Sequence, residues 1–166
     1  MKTENIINNI SFNANFIKKI KVQKRNNNKG YVPHYVSLVE LNYKDKYDLE
    51  SVETISNDWN GEENSKYIYG HLRTLKYCKE KNNQRFYALT NQTNKFDNID
   101  SQEILALCEL REMSKYNNYL SYIQVNPNYK FDPLRLIESK FKNIGKAFLE
   151  SLQEIFPNKS LSLNAT

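Results

Sequence analysis

The chain has few of the residues that most often announce a function. Only two of its 166 residues are histidine, His34 and His71, far apart in sequence. They form no ligand spacing for a metal and no Ser-His-Asp or Cys-His set, and His71, beside a helical apolar stripe, reads as a packing residue. The two cysteines, Cys78 and Cys108, lie in apolar segments without CxxC spacing. They are expected as buried free thiols in a reducing compartment. No stretch approaches the ~20 apolar residues of a membrane helix. The start, "MKTENIINNI", lacks the apolar core of a signal peptide. A cytoplasmic protein without membrane contact is the expectation. Glycine is scarce as well, with four in the chain, so Gly145 in "KFKNIGKAFLESL" calls for a reason.

What the chain does have is aromatic and basic. Tyrosine (12), phenylalanine (8) and tryptophan (1) bring the aromatic share to 13%, too rich for a disordered chain despite a mean hydropathy of -0.77. The length suits one domain with a real core. The 24 basic and 19 acidic residues leave a net charge of +5, which permits an anionic partner without requiring one. The one compact basic cluster is "KKIKVQKRNNNK", Lys18 to Lys29. Ile17, Ile20 and Val22 alternate among its lysines, which reads as an edge strand guarded by lysine; a nucleic-acid stripe is the competing reading.

Periodicity then sets the element order. "FIKKIKVQ" and "YVPHYVSLVELN" flank the turn "RNNNKG", the pattern of a hairpin. "DLESVETISNDW" and "SKYIYGHLRTLKYCKE" carry apolar residues at three- and four-residue steps, so they are expected as helices, with Ser65 capping the second. "RFYALTN", "EILALCELREM" and "YLSYIQVN" read as three meandering strands. A helical region in two pieces, meeting near Gly145, follows in "DPLRLIESKFKNIGKAFLESLQEIF", and "SLSLNA" is a last strand. The helix between the last two strands is a crossover, so these should run parallel or splay. The expected fold class is α+β: a mixed, mostly antiparallel central sheet flanked by helices. Residues 1–15 are expected as an N-terminal extension and 16–166 as a single domain.

The six residues "KNIGKA", Lys142 to Ala147, follow a strand ending in "IQVNPNY" and open a helix with Ile144, Phe148, Leu152 and Ile155 as its buried stripe. Free N–H groups at a helix start bind anions, and a glycine lets a phosphate approach. In this motif and in its element order, from about residue 35 onward, the sequence resembles the GNAT-type N-acetyltransferase superfamily. Lys142 stands where that family usually has Gln or Arg, and "YKFDPLRLIESKF" is inserted ahead of the motif. The chain ends at "LSLNAT", where the family continues with a further helix and hairpin, so the domain is expected to be C-terminally incomplete or completed by an oligomer or partner chain.

The resemblance implies transfer of an acetyl group from acetyl-CoA to a primary amine by direct attack, with no metal. The amides of Lys142, Asn143, Ile144, Gly145, Lys146 and Ala147 would cradle the pyrophosphate. The backbone of Ile123, Gln124 and Val125 would pair with the pantetheine arm. Glu109 and Glu112 are the candidate bases; three apart on a strand, they should face opposite ways, so at most one can serve. Tyr129 is the candidate acid. Asp58, Trp59, Glu62 and Glu63 would draw in a small or peptidic cationic amine. A non-catalytic GNAT-like domain that binds CoA or a protein partner, and a basic nucleic-acid-binding α+β domain, are the alternatives.

Overall fold

A computed structural model describes residues 14–59, 63–77, 83–129 and 139–163. Their order is β1 (Asn15–Asn26), β2 (Gly30–Leu41), α1 (Lys46–Asp58), α2 (Glu63–Leu75), β3 (Gln84–Thr90), β4 (Ile104–Glu112), β5 (Asn117–Val125), β6 (Phe141–Lys142), α3 (Ile144–Ile155) and β7 (Ser160–Leu163). The strands form one seven-stranded sheet in the order β6-β1-β2-β3-β4-β5-β7. Every pairing is antiparallel except β5 with β7. The fold is α+β, as composition and periodicity suggest.

Local chemistry accounts for most of these elements. Gly30 closes the β1–β2 hairpin at φ 71°, a conformation open to glycine at no steric cost. Asp45 caps α1 by accepting hydrogen bonds from the N–H groups of Tyr47 (2.8 Å) and Asp48 (3.1 Å). Asp45→Ala is expected to cost about 1 kcal/mol, read as a fall of about 2–4 °C in Tm. A thermal melt with no change would remove the cap from the account. Ser65 is not a cap: α2 begins at Glu63 and Ser65 is buried inside it. Phe141 and Lys142 also depart from the expected helix. They pair with Lys24 and Gln23 of β1 instead, and α3 begins only after Asn143 turns the chain through a left-handed φ of 63°. Residues 130–138 of the predicted first helical piece lie outside the described residues.

Two apolar clusters hold the layers together. On one face Leu49, Val52, Ile55 and Trp59 of α1 and its C-terminus meet Ile68, Leu72 and Leu75 of α2 over Val39, Phe86, Ala88 and Leu107. On the other, Ile144, Ala147, Phe148 and Leu152 of α3 pack on Val36, Leu38, Tyr87, Leu89, Cys108 and Leu110. β4 is buried on both faces from Ile104 to Leu110, which is why it reads as a continuous apolar run rather than an alternating one. Cys108 sits in that strand, free, and burial pushes its thiol up and out of reach as a thiolate. Cys78 lies outside the described residues. Beyond the two residues of β6, β1 has no further partner on its outer side among the described strands, so it is an edge. Lys18 reaches Glu154 of α3 on one face, while Lys19 turns to Ser37 and the Thr93 carbonyl. These neighbouring lysines leave in different directions and do not make one basic stripe. No helix among the described residues is long and apolar enough to cross a membrane.

Candidate functional site

Among the described residues, β7 pairs with β5 from Asn117↔Ser160 to Leu120↔Leu163, and β5 runs on to Val125. Next to the last described pair of β5 and β7 the β4–β5 register slips from Leu110↔Leu120 to Glu109↔Tyr122, which leaves Ser121 as an extra residue on β5. Such a bulge bends its strand and redirects side chains. Leu120, Ile123 and Val125 face the α3 side, whereas Tyr122 faces α2. The Ser121 Oγ is buried without a hydrogen-bond partner.

Past the bulge, the outer edge of β5 presents donors. The Asn126 N–H binds the Leu105 carbonyl at 2.9 Å, so Ala106 and Val125 are a non-hydrogen-bonded pair and the backbone polar groups of Val125 point away from β4. Alternation gives Ile123 the same outward direction. Gln124, between them, turns its backbone inward to β4, and its side-chain amide donates to the Val125 carbonyl at 2.8 Å. Asn64 Nδ2 donates to the Ile123 carbonyl at 3.2 Å. Both outward carbonyls are thus occupied, while the two outward N–H groups have no partner among the described residues.

The start of α3 lies against this edge. A Cβ built on Gly145 would come 3.6 Å from Val125 Cγ2, an ordinary van der Waals contact. Packing alone therefore does not demand glycine there. The first intrahelical bond is Ala147 N–H to the Asn143 carbonyl, 3.0 Å, so the N–H groups of Ile144, Gly145 and Lys146 precede the helical ladder. Asn143 offers them no side-chain cap. Two kinds of donor adjoin here, the strand amides of β5 and the open start of α3 with its positive dipole end. Ile144 and Ala147 are buried and anchor the turn from below. Lys142 leans over the Tyr31 ring at 3.9 Å and Lys146 reaches Glu150 at 3.8 Å, both on the surface.

The candidate acids and bases are dispersed. Glu112 faces the α3 side of the sheet, held by Arg85 Nε (2.6 Å) and Lys159 (3.2 Å). The Arg85 hydrogen bond, reinforced by Lys159, keeps its carboxyl below the ordinary range, so it is a poor base and is better described as a structural ion pair. Glu109 faces the other way and is fully buried under α2. Its Oε1 accepts from Gln84 Nε2 (2.7 Å) and Arg111 Nε (3.0 Å), and its Oε2 meets His71 Nδ1 at 2.5 Å. His71 is not a packing residue, as its place beside an apolar stripe suggests, but the outer member of a buried polar cluster. The sequence signal for that pairing is weak, since 38 residues separate the two. The Tyr122 ring lies 5.6 Å from His71 and stacks on Tyr67 at 5.2 Å.

Tyr129 packs edge-on against Phe141, and burial, with the Glu103 charge adding to it, pushes its phenol up. It is thus held protonated. Trp59 is only 6% exposed and belongs to the core between α1 and α2, so its ring is not available to an acceptor. Asp58 ends α1 and Glu63 starts α2, both exposed. Glu62 lies outside the described residues. No group of side chains able to hold a metal ion occurs among the described residues. No protein family matches the chain, and no curated protein or solved structure is significantly similar to it.

Proposed function

We propose that this chain is an acetyl-CoA-dependent N-acetyltransferase, with the cofactor lying along the outer edge of β5 at Ile123 to Val125, against the start of α3. The observation that carries this reading is the pair of outward amides at Ile123 and Val125, on a strand whose Val125 side chain adjoins the first turn of α3. An extended amide-bearing arm needs strand-like donors, a pyrophosphate needs a helix start without a side chain in the way, and here the two adjoin. The orphan Ser121 hydroxyl, at the bulge just before Ile123, is a further buried donor on the same strand. Such a cofactor supplies an activated acyl thioester. The chain's own residues would bind and orient: the α3 amides of Ile144, Gly145 and Lys146 would hold negative charge, and the outward amide at Val125 would donate to the thioester carbonyl oxygen as charge develops on it. Asp58 and Glu63 draw a cationic acceptor toward the α2 side.

Thermal denaturation with acetyl-CoA and CoA tests the reading. Ligand at about 100 times its Kd adds about 2.7 kcal/mol to the folded state, so Tm should rise by about 5–10 °C for a domain of this size. No rise at millimolar ligand removes the cofactor site. A rise without turnover of any amine favours a binding domain over an enzyme.

A further inference from the structure

We infer that His71 is the proton acceptor for the acceptor amine, with Glu109 as its positioning residue, and that the acceptors are alkylamines that arrive as ammonium ions. The inference rests on the acyl-transfer reading. It starts from the valences of a buried carboxylate. Glu109 has both oxygens engaged, one by Gln84 and Arg111 and the other by His71 Nδ1. The Arg111 guanidinium supplies a second partner for its charge. A carboxylate oxygen can only accept, so Nδ1 is the donor, and in the neutral imidazole this bond fixes the tautomer in which Nε2 carries a lone pair. Glu109 is entirely buried while the His71 side chain is 33% exposed, so the dyad hides the carboxylate and leaves part of the imidazole open. This is the arrangement in which a buried carboxylate orients a histidine.

Its position also suits the role. His71 and Tyr122 face one another on the α2 side of β5, and the next residue, Ile123, carries an outward amide. The α3 turn lies on the opposite side. Glu109 of β4 and Tyr122 of β5 contact His71, Arg111 of β4 adjoins it through Glu109, and Tyr67, one turn earlier on α2, stacks on Tyr122. The stacked tyrosines offer π faces to an incoming ammonium. In the reaction, His71 Nε2 takes one proton from R–NH3+, leaving a neutral amine. The nitrogen lone pair forms the N–C bond to the acyl carbon, and the C–S bond breaks with its electrons on sulfur. The second proton lost by nitrogen goes to the thiolate, giving amide and thiol, and His71 releases its proton to water.

The test compares His71→Gln and Glu109→Gln with the unaltered protein, using an alkylamine and an arylamine, the latter neutral at pH 7. In His71→Gln, kcat/KM for the alkylamine should fall by about 10²–10⁴-fold, while the arylamine changes little and the acetyl-CoA-induced rise in Tm persists. Glu109→Gln should lose rate in the same acceptor-dependent way. Imidazole 15N spectra supply a readout independent of activity: protonated Nδ1 and bare Nε2 in the unaltered protein, and a tautomer mixture in Glu109→Gln. Equal losses for both acceptors, or a bare Nδ1 in the unaltered protein, overturn the inference and leave the acyl-transfer reading standing. If the unaltered protein neither gains Tm with acetyl-CoA nor acetylates either amine, the acyl-transfer reading fails and the inference with it.

Discussion

Gly145→Asp is expected to weaken CoA binding by more than about 100-fold, equivalent to about 2.7 kcal/mol, while the protein stays folded. The fold should survive because the backbone there is ordinary and a Cβ meets Val125 Cγ2 at 3.6 Å. A carboxylate in the first turn even complements the helix dipole. Binding should not survive, because two unit charges ~5 Å apart at an effective dielectric of about 20 repel by about 3 kcal/mol. Gly145→Ala separates shape from charge. It should gain about 0.5–1 kcal/mol of stability from helix propensity and lose less affinity than the aspartate. Isothermal titration with CoA, alongside Tm, reads both quantities. Undiminished affinity in Gly145→Asp would put the phosphate site elsewhere.

The second large effect concerns a buried carboxyl on α1. Asp48, in the first turn of α1, is fully buried; its Oδ2 accepts the Asn42 N–H at 2.7 Å and its Oδ1 has no partner. Burial pushes this carboxyl from 3.8 up to about 7, the Asn42 bond opposing and the nearby Asp45 charge adding. The folded state therefore holds the proton more tightly than the unfolded chain. Its contribution is complete below pH ~4 and is lost as pH rises to about 7, an upper limit of about 4 kcal/mol. Asp48→Asn keeps an acceptor for Asn42 and removes the charge. It should leave Tm at pH 4 nearly unchanged and raise it at pH 8 by about 4–8 °C, for a gain of about 2 kcal/mol. An equal change at both values would mean that the carboxyl does not titrate in this range.

How far the residues spoke for themselves differs by level. The helix stripes Leu49–Val52–Ile55 and Ile68–Leu72–Leu75 are buried as their spacing requires. The β1–β2 hairpin follows from its turn, and the parallel β5–β7 pairing from the helix that joins those strands. Trp59 misled because a large aromatic beside acidic residues looks like a binding surface, whereas a one-sided helix end buries it. Phe141 and Lys142 misled because apolar spacing cannot tell a two-residue strand from a helix turn without knowing which edge lies nearby. His71 misled for a similar reason, as its partner lies two strands away.

Amino-acid order alone determined most of the helices and strands, the sequence in which they meet and the absence of a histidine-rich metal pattern, because these depend on neighbours within a few residues. Three features required the folded chain: the slip at Ser121, the two outward amides with their carbonyls already occupied, and the burial of Glu109 beneath His71. Each arises from contacts between residues distant in sequence, where burial and hydrogen-bond valence, rather than local spacing, decide which groups are left free to react.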